Sequence, residues 1–321
     1  MPTRPERVGG PIVILQVAAP PKSLGPRRAA SHLVDVLVAD GVAAELVARP
    51  RRDGRVNAHL SNSSRSLLLS LARRRGCLVT LHDVVPRSTR LHTALSPVVL
   101  RILRRHRVVV HSVHAANLLR ENGFDQPVGV VPLFHLVERP AEEARLAERA
   151  RLLRGRYGNV LVLAGRLRAA KRVDELIRAA DCAPDTSLVL LGAVADAPTA
   201  RALRSAPDNV VVVEAPDDTR FSLVLAAADA VLLPRRRSVG ETSGPLVMAH
   251  ALGTPVALAD SGSGPEYAVP GDLILPADTP LSQFIKEAGA HGWRRLPASI
   301  DDQRTTILGA YRREFRSLGW T

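Results

Sequence analysis

Lysine, cysteine and aromatic side chains are all scarce in this chain, and each scarcity excludes something. Lysine occurs only at Lys22, Lys171 and Lys286, so the net charge of +13 is carried by arginine. Such an arginine- and alanine-rich balance is as readily a habit of composition as an attraction to polyanions, meaning an anionic membrane face, a lipid pyrophosphate or nucleic acid. Aromatics make up 3% of residues, which leaves few to stack on exposed bases and makes nucleic acid the weakest of these partners. The core must then rest on Leu, Val and Ala. Cys77 and Cys182 lie far apart, each in or beside an apolar run. They read as buried thiols of a reducing, cytoplasmic compartment, not as a disulfide framework or metal site. There is no Asp-x-Asp, and no His or Cys cluster has metal-ligand spacing, so neither metal nor cofactor is expected. No apolar run approaches the roughly 18 residues needed to span a bilayer. Arg4 and Arg7 precede an apolar run at 12–19, as in a signal peptide, but that run is short and follows Gly9-Gly10-Pro11. A first β-strand suits it better.

What remains is enough for two domains. At 321 residues and 46% hydrophobic content, each half can bury its own core. Strands and helices alternate through the first half, the pattern of a parallel doubly wound sheet. Strands are expected at 12–17, 44–47, 77–81, 108–110 and 128–133, and helices at 27–40, 64–75, 91–105 and 112–122. A polar stretch at 49–63 reads as a mobile loop. After a linker at 134–140 and a charged helix at 141–155, strands are expected at 160–164, 188–191, 210–213, 230–233, 256–259 and 273–275. Helices at 173–182, 199–205, 219–228, 243–252 and 281–290 interleave with them, and an amphipathic helix at 301–318 ends the chain. The expected domains are 1–135 and 136–300, with 301–321 as a returning C-terminal helix.

The stretch LLPRRRSVGETSGPLVMAHALGTPVALADSGSGPE, residues 232–266, organises the second half. A buried strand closed by Pro234 runs into a polar loop. Ser243-Gly244-Pro245 then starts a helix, with Ser at the N-cap and Pro tolerated in the first turn. Free N–H groups at that helix end make an anion site. Glu241 beside it suits hydroxyl groups, so the combination points to a ligand carrying both phosphate and hydroxyls. Upstream, Arg166 follows a strand and Lys171 begins a helix. A cation there opposes the helix dipole by roughly 0.3–1 kcal/mol, a conflict that a bound diphosphate removes. Arg gives bidentate oxygen contacts and Lys a point charge, and Arg172 is placed to share the task.

In the first half, His82 and Asp83 end a strand, where ligands gather in open α/β sheets; the plain alternative is a strand cap. The helix at 91–105 sets Leu95, Val98, Val99, Ile102 and Leu103 against Arg101, Arg104, Arg105 and Arg107. This is either a lipid-docking face or an ordinary core helix with a solvated side, the second being favoured.

Two segments carry a family resemblance. The 232–266 stretch resembles the donor-nucleotide segment of glycosyltransferase family 4, and VLVLAGRLRAAKRVDELIRAA at 160–180 resembles the same family's Gly-Arg and Lys phosphate segment. The resemblance implies an α/β protein of GT-B fold, with two Rossmann-like parallel-sheet domains facing a cleft and a C-terminal helix crossing back. It implies a retaining, metal-independent transfer from a nucleotide-sugar donor to a sugar, lipid-linked or polysaccharide acceptor, in the cytoplasm or peripherally at the inner membrane face. Gly165, Arg166, Lys171, Glu241, Thr242, Ser243 and Gly244 would bind the donor, with His82, Asp83, Arg166 and Lys171 catalytic. The family's paired glycines near the sugar reduce here to Gly25, with Lys22 or Arg27 compensating in charge. Its signature of two glutamates separated by seven residues is broken: alignment on Gly253-Thr254-Pro255 puts Gly240 first and Met248 second, with Glu241 one place off. Alternatives are a related epimerase or phosphorylase, a catalytically degenerate nucleotide-binding protein, and a basic nucleic-acid-binding protein.

Overall fold

Short runs of Val, Leu and Ala, continuous where a parallel sheet is covered on both faces, set the strands of this fold. The computed structural model describes residues 14–19, 24–51, 54–61, 65–84, 97–155, 158–168, 171–235, 240–297 and 300–320. Within them the chain forms two units, each on a six-stranded parallel sheet. One comprises Met1–Val110, Leu119–Val131 and Leu308–Thr321; the other comprises His111–Leu118 and Pro132–Ile307.

The first unit holds β1 (Leu15–Ala18), β2 (Ala44–Val47), β3 (Arg55–Leu60), β4 (Leu78–Leu81), β5 (Arg107–Val110) and β6 (Val128–Val130), ordered β2-β1-β3-β4-β5-β6. With them run α1 (Leu24–Ala39), α2 (Arg65–Ala72) and α3 (Pro97–Leu103), and α4 (Val113–Glu121) follows β5. β3 overturns the expectation of a mobile loop at 49–63. It pairs with β1 on one side and β4 on the other, and all but its first residue are buried. Asn57 and His59 hid it, because they interrupt the apolar pattern. Both are buried, Asn57 accepting from Thr80 Oγ1 at 3.0 Å and His59 Nδ1 meeting His82 Nε2 at 2.9 Å. The hydroxyl of buried Tyr311, from the last helix α11 (Ile300–Ser317), also bonds Asn57 and Thr80. The same helix is fixed by Glu314, which accepts from Arg107 Nε at 2.6 Å, and by an ion pair from Arg312 to Asp40.

The second unit contains α5 (Glu142–Leu153), β7 (Asn159–Ala164), α6 (Val173–Ala179), β8 (Thr186–Leu191), α7 (Ala197–Leu203), β9 (Val210–Val213) and α8 (Asp218–Ala227). It continues through β10 (Ala230–Leu233), α9 (Gly244–Ala251), β11 (Val256–Ala259), β12 (Leu273–Leu275) and α10 (Leu281–Ala290). The order β12-β11-β10-β7-β8-β9 is that of a dinucleotide-type doubly wound sheet, whose strand order reverses between β7 and β10. Its core joins Leu161, Leu163, Leu190 and Leu232 of the sheet to Leu176, Ile177, Phe284 and Ile285 of the helices. It rests on aliphatic side chains, as the shortage of aromatics requires. Residues 246–251 of α9 are all buried, which explains a helix apolar on every side.

The cysteine expectation needs one correction. Cys77 is buried, and burial pushes its thiol pKa up. Cys182 is exposed, because the 3-10 turn at Ala180–Cys182 buries Ala180 and carries the two following residues outward. The arginine cluster of α3 and β5 is largely committed internally. Arg104 bonds Asp125 and the Gly123 carbonyl, Arg105 the Ala72 carbonyl, and Arg107 the Glu314 carboxylate and Pro127 carbonyl. The predicted start of α3 at 91–96 and the loop at 20–23, with Lys22, lie outside the described residues.

Candidate functional site

β7 ends in Ala164, and the chain turns at Gly165 with φ +99°, a conformation open to glycine at little cost. A Cβ at Gly165 would stand 2.7 Å from Lys171 Nζ and 3.6 Å from Pro245 Cγ. Gly165, Lys171 and the first turn of α9 therefore converge on one point. Lys171 is 8% exposed, and its Nζ donates to the Ala164 carbonyl at 2.6 Å. That bond folds the ammonium back over the end of β7, at the place where the strand order reverses. Arg166 is exposed beside it. Arg172 takes a left-handed backbone at the N-cap of α6 and is buried. Its guanidinium bonds Glu175 at 2.9 Å and the Pro234 carbonyl at 3.4 Å, so it serves as a strut between α6 and the end of β10.

On the other side of the switch point, α9 begins at Gly244 with Ser243 as an extended N-cap. The Ser243 side chain makes no capping bond, and Pro245 has no N–H to offer. Ser243 Oγ and Thr242 Oγ1 are buried atoms with no hydrogen-bond partner. Both residues line a small open pocket with Arg235, Glu241, Ser261 and Ser263. An unmade hydrogen bond on a buried hydroxyl costs about 1–3 kcal/mol, and two together at a helix N-terminus are what an incoming anion would satisfy. Glu241 is held by Arg235, whose Nη1 donates to Oε1 at 2.6 Å, while Ser263 Oγ donates to the Glu241 carbonyl at 2.8 Å. Met248, at the position of the missing glutamate, is 4% exposed in the core of α9.

The sequence-predicted residues thus fall into groups. Gly165, Lys171 and Gly244 meet through Pro245, and Glu241, Thr242 and Ser243 continue the same rim. His82 and Asp83 lie in the first unit at the carboxyl end of β4, where His82 joins His59. Gly25 lies in the first turn of α1, which starts earlier than the expected 27, and Arg27 Nη1 reaches the Ala19 carbonyl at 3.4 Å. Two residues escaped the sequence reading. Arg235 was legible in principle, since it follows Pro234 at the carboxyl end of β10. His135 was not, because it sits in the linker with no pattern around it. It is 6% exposed, and its Nε2 stands 3.1 Å from where a Cβ on Gly244 would be.

Glu266, in the 3-10 turn Pro265–Tyr267, accepts from the N–H groups of Val113 and His114 at 2.6 Å each. Tyr267 accepts from Leu133 N at 2.7 Å and donates to the His111 carbonyl. Among the described residues no group of three or more His, Cys, Asp or Glu side chains could hold a metal ion, and no helix is long and apolar enough to cross a membrane.

Residues 145–283 match the family model described as glycosyl transferases group 1. HepE of Anabaena, solved with UDP and glucose, superposes with a TM-score of 0.70 at 15% identity, over 96% of this chain and 100% of that one. Sucrose-phosphate synthase of Thermosynechococcus elongatus gives 0.71 at 14% identity, over 95% and 100%. WaaG, a glycosyltransferase involved in lipopolysaccharide biosynthesis, gives 0.61 at 16% identity, over 95% and 97%. No curated protein sequence matches the chain. The fold is GT-B, and the stretch that matches the family model lies within the second unit.

Proposed function

We propose that this protein transfers a sugar from a nucleotide-sugar donor to an acceptor hydroxyl. The observation that carries the reading is the pair of buried, unsatisfied hydroxyls at the start of α9, opposite a lysine tucked against Gly165. HepE binds UDP and glucose on the same fold, which supports a nucleoside diphosphate as the leaving group. In the reaction, the bond from the anomeric carbon to the diphosphate oxygen breaks, and its electron pair leaves on that oxygen. Lys171, Arg166 and the N-terminus of α9 stabilise the developing charge, and such preorganised donors are worth several kcal/mol at a transition state. The acceptor oxygen bonds the anomeric carbon from the same face, with retention, and its proton passes to the departing phosphate. In this reading the cationic side chains perform the charge neutralisation, and no metal is required.

Thermal stabilisation by UDP, GDP, ADP and dTDP tests the site. A ligand at about 100 times its Kd adds roughly 2.7 kcal/mol, and Lys171→Ala and Arg166→Ala should each diminish that gain. Stabilisation by none of the four overturns the reading. A catalytically degenerate nucleotide-binding protein is the second reading, and buried Met248 favours it, since a core thioether cannot hold ribose hydroxyls. Nucleotide binding without turnover of any nucleotide sugar would select it. A cytoplasmic protein resting peripherally on an anionic membrane is also proposed, from Leu69 on α2 and Val98 on α3, each 68% exposed. Equal failure to co-sediment with anionic and neutral vesicles removes that idea.

A further inference from the structure

We infer that His135 is a ligand of the donor diphosphate, an inference that rests on the donor-site reading above. Two facts place it there. The imidazole is buried to 6% exposure, although it belongs to a connecting segment that carries no regular structure. Its Nε2 also lies 3.1 Å, and its Cδ2 and Cε1 3.9 Å, from the Cβ position of residue 244. The ring tip therefore faces the first residue of α9, and the absence of a side chain at Gly244 leaves its close approach uncrowded. A ring nitrogen at that place can add a hydrogen bond to those that the helix N-terminus offers an anion. The ring then offers a hydrogen bond beside the backbone N–H of Gly244, with Ser243 Oγ next along the chain and Lys171 across Pro245.

This arrangement also accounts for the glycine at position 244 in chemical terms. A side chain there would crowd the imidazole, which would have to give by a few tenths of an ångström. His135 contributes by hydrogen-bond donation from Nε2 to a phosphate oxygen, with no covalent step. Its contact is with the phosphates and not with the base or ribose.

The full-length protein and two variants test this. The nucleoside diphosphate that binds most tightly among UDP, GDP, ADP and dTDP is titrated by calorimetry, alongside its parent nucleoside, into wild type, His135→Gln and His135→Phe. Gln carries an amide nitrogen near the position of Nε2, and Phe fills the space without a donor. The expected result is a weakening of diphosphate binding by about ten- to a hundredfold in His135→Phe, the worth of a hydrogen bond to a charged group. Nucleoside binding should be unchanged, and His135→Gln should recover most of the loss. Equal weakening of nucleoside and diphosphate, or the same loss in both variants, would show a packing role and overturn the inference. Unchanged diphosphate binding in His135→Phe, with binding lost in Lys171→Ala, overturns it while leaving the donor site standing. Absence of binding to wild type defeats both.

Discussion

The ammonium of Lys171 donates to the carbonyl of Ala164, 2.6 Å away, and lies in the space that a side chain on Gly165 would enter. Gly165→Ala therefore tests position and not charge. The new methyl would stand 2.7 Å from Nζ, so the flexible lysine must swing away from the end of β7. Its backbone at φ +99° adds strain of about 1–2 kcal/mol for a residue with a side chain. We expect nucleoside diphosphate binding to fall at least tenfold, with unfolding stability reduced by about that strain. A variant that binds as well as wild type would show that Nζ is not required where the structure puts it.

Glu266 caps α4 from a distant part of the sequence, with two bonds of 2.6 Å to the N–H groups of Val113 and His114. Exchanging the carboxylate for an amide keeps one acceptor and loses the charge that the helix end favours. Glu266→Gln should cost about 0.5–2 kcal/mol, the range for losing a helix cap, and Glu266→Ala at least as much. Chemical denaturation followed by circular dichroism reads this, and no loss in the alanine variant would show the cap to be idle.

How legible the molecule is from its sequence depends on the residue in question. β10, β11 and α9 could be placed closely, because Pro234, the Ser243-Gly244-Pro245 start and Gly253 punctuate apolar runs with distinct turn chemistry. Lys171 was visible because a cation at a helix start demands an explanation, and Gly165 through the family resemblance of the segment around it. β3 was not, since a strand whose polar residues find partners on β4 and α11 looks, alone, like a loop. His135 is the extreme case: its meaning lies wholly in its distance from Gly244, a tertiary fact with no local signal.

His106 gives the protein an acid-sensitive point. Its Nδ1 accepts from Cys77 N at 3.3 Å, which leaves the proton on Nε2, 3.2 Å from the Leu71 carbonyl. Burial lowers its pKa below the ordinary value, with Arg105 acting in the same direction and the Leu71 bond opposing them. Below about pH 6.5 the unfolded chain takes up a proton that the native state refuses. This contribution is present above pH 6.5 and is lost as pH falls toward the native pKa, by at most about 1.4 kcal/mol per pH unit. Denaturant titrations between pH 5 and 7 should show a shallower slope in His106→Gln than in wild type. Identical slopes would mean that His106 is not neutral in the native state.

Tyr311 supplies the alkaline counterpart. Burial raises its pKa from 10.0 to about 12, partly offset by hydrogen bonds to Thr80 and Asn57. Its phenol is thus neutral in the native state at pH values where the unfolded chain ionises. The sign follows: stability from this group is complete below about pH 10 and declines as pH rises through 10 toward 12, by up to about 1.4 kcal/mol per unit. Tyr311→Phe removes that slope but also removes the hydroxyl that Asn57 and Thr80 engage, at a cost of about 0.5–1.5 kcal/mol at pH 7. The variant should therefore be the less stable protein at neutral pH, and the gap should narrow above pH 10. A gap constant from pH 7 to 11 would show that the hydroxyl is open to ionisation in the native fold, contrary to its burial between β3, β4 and α11.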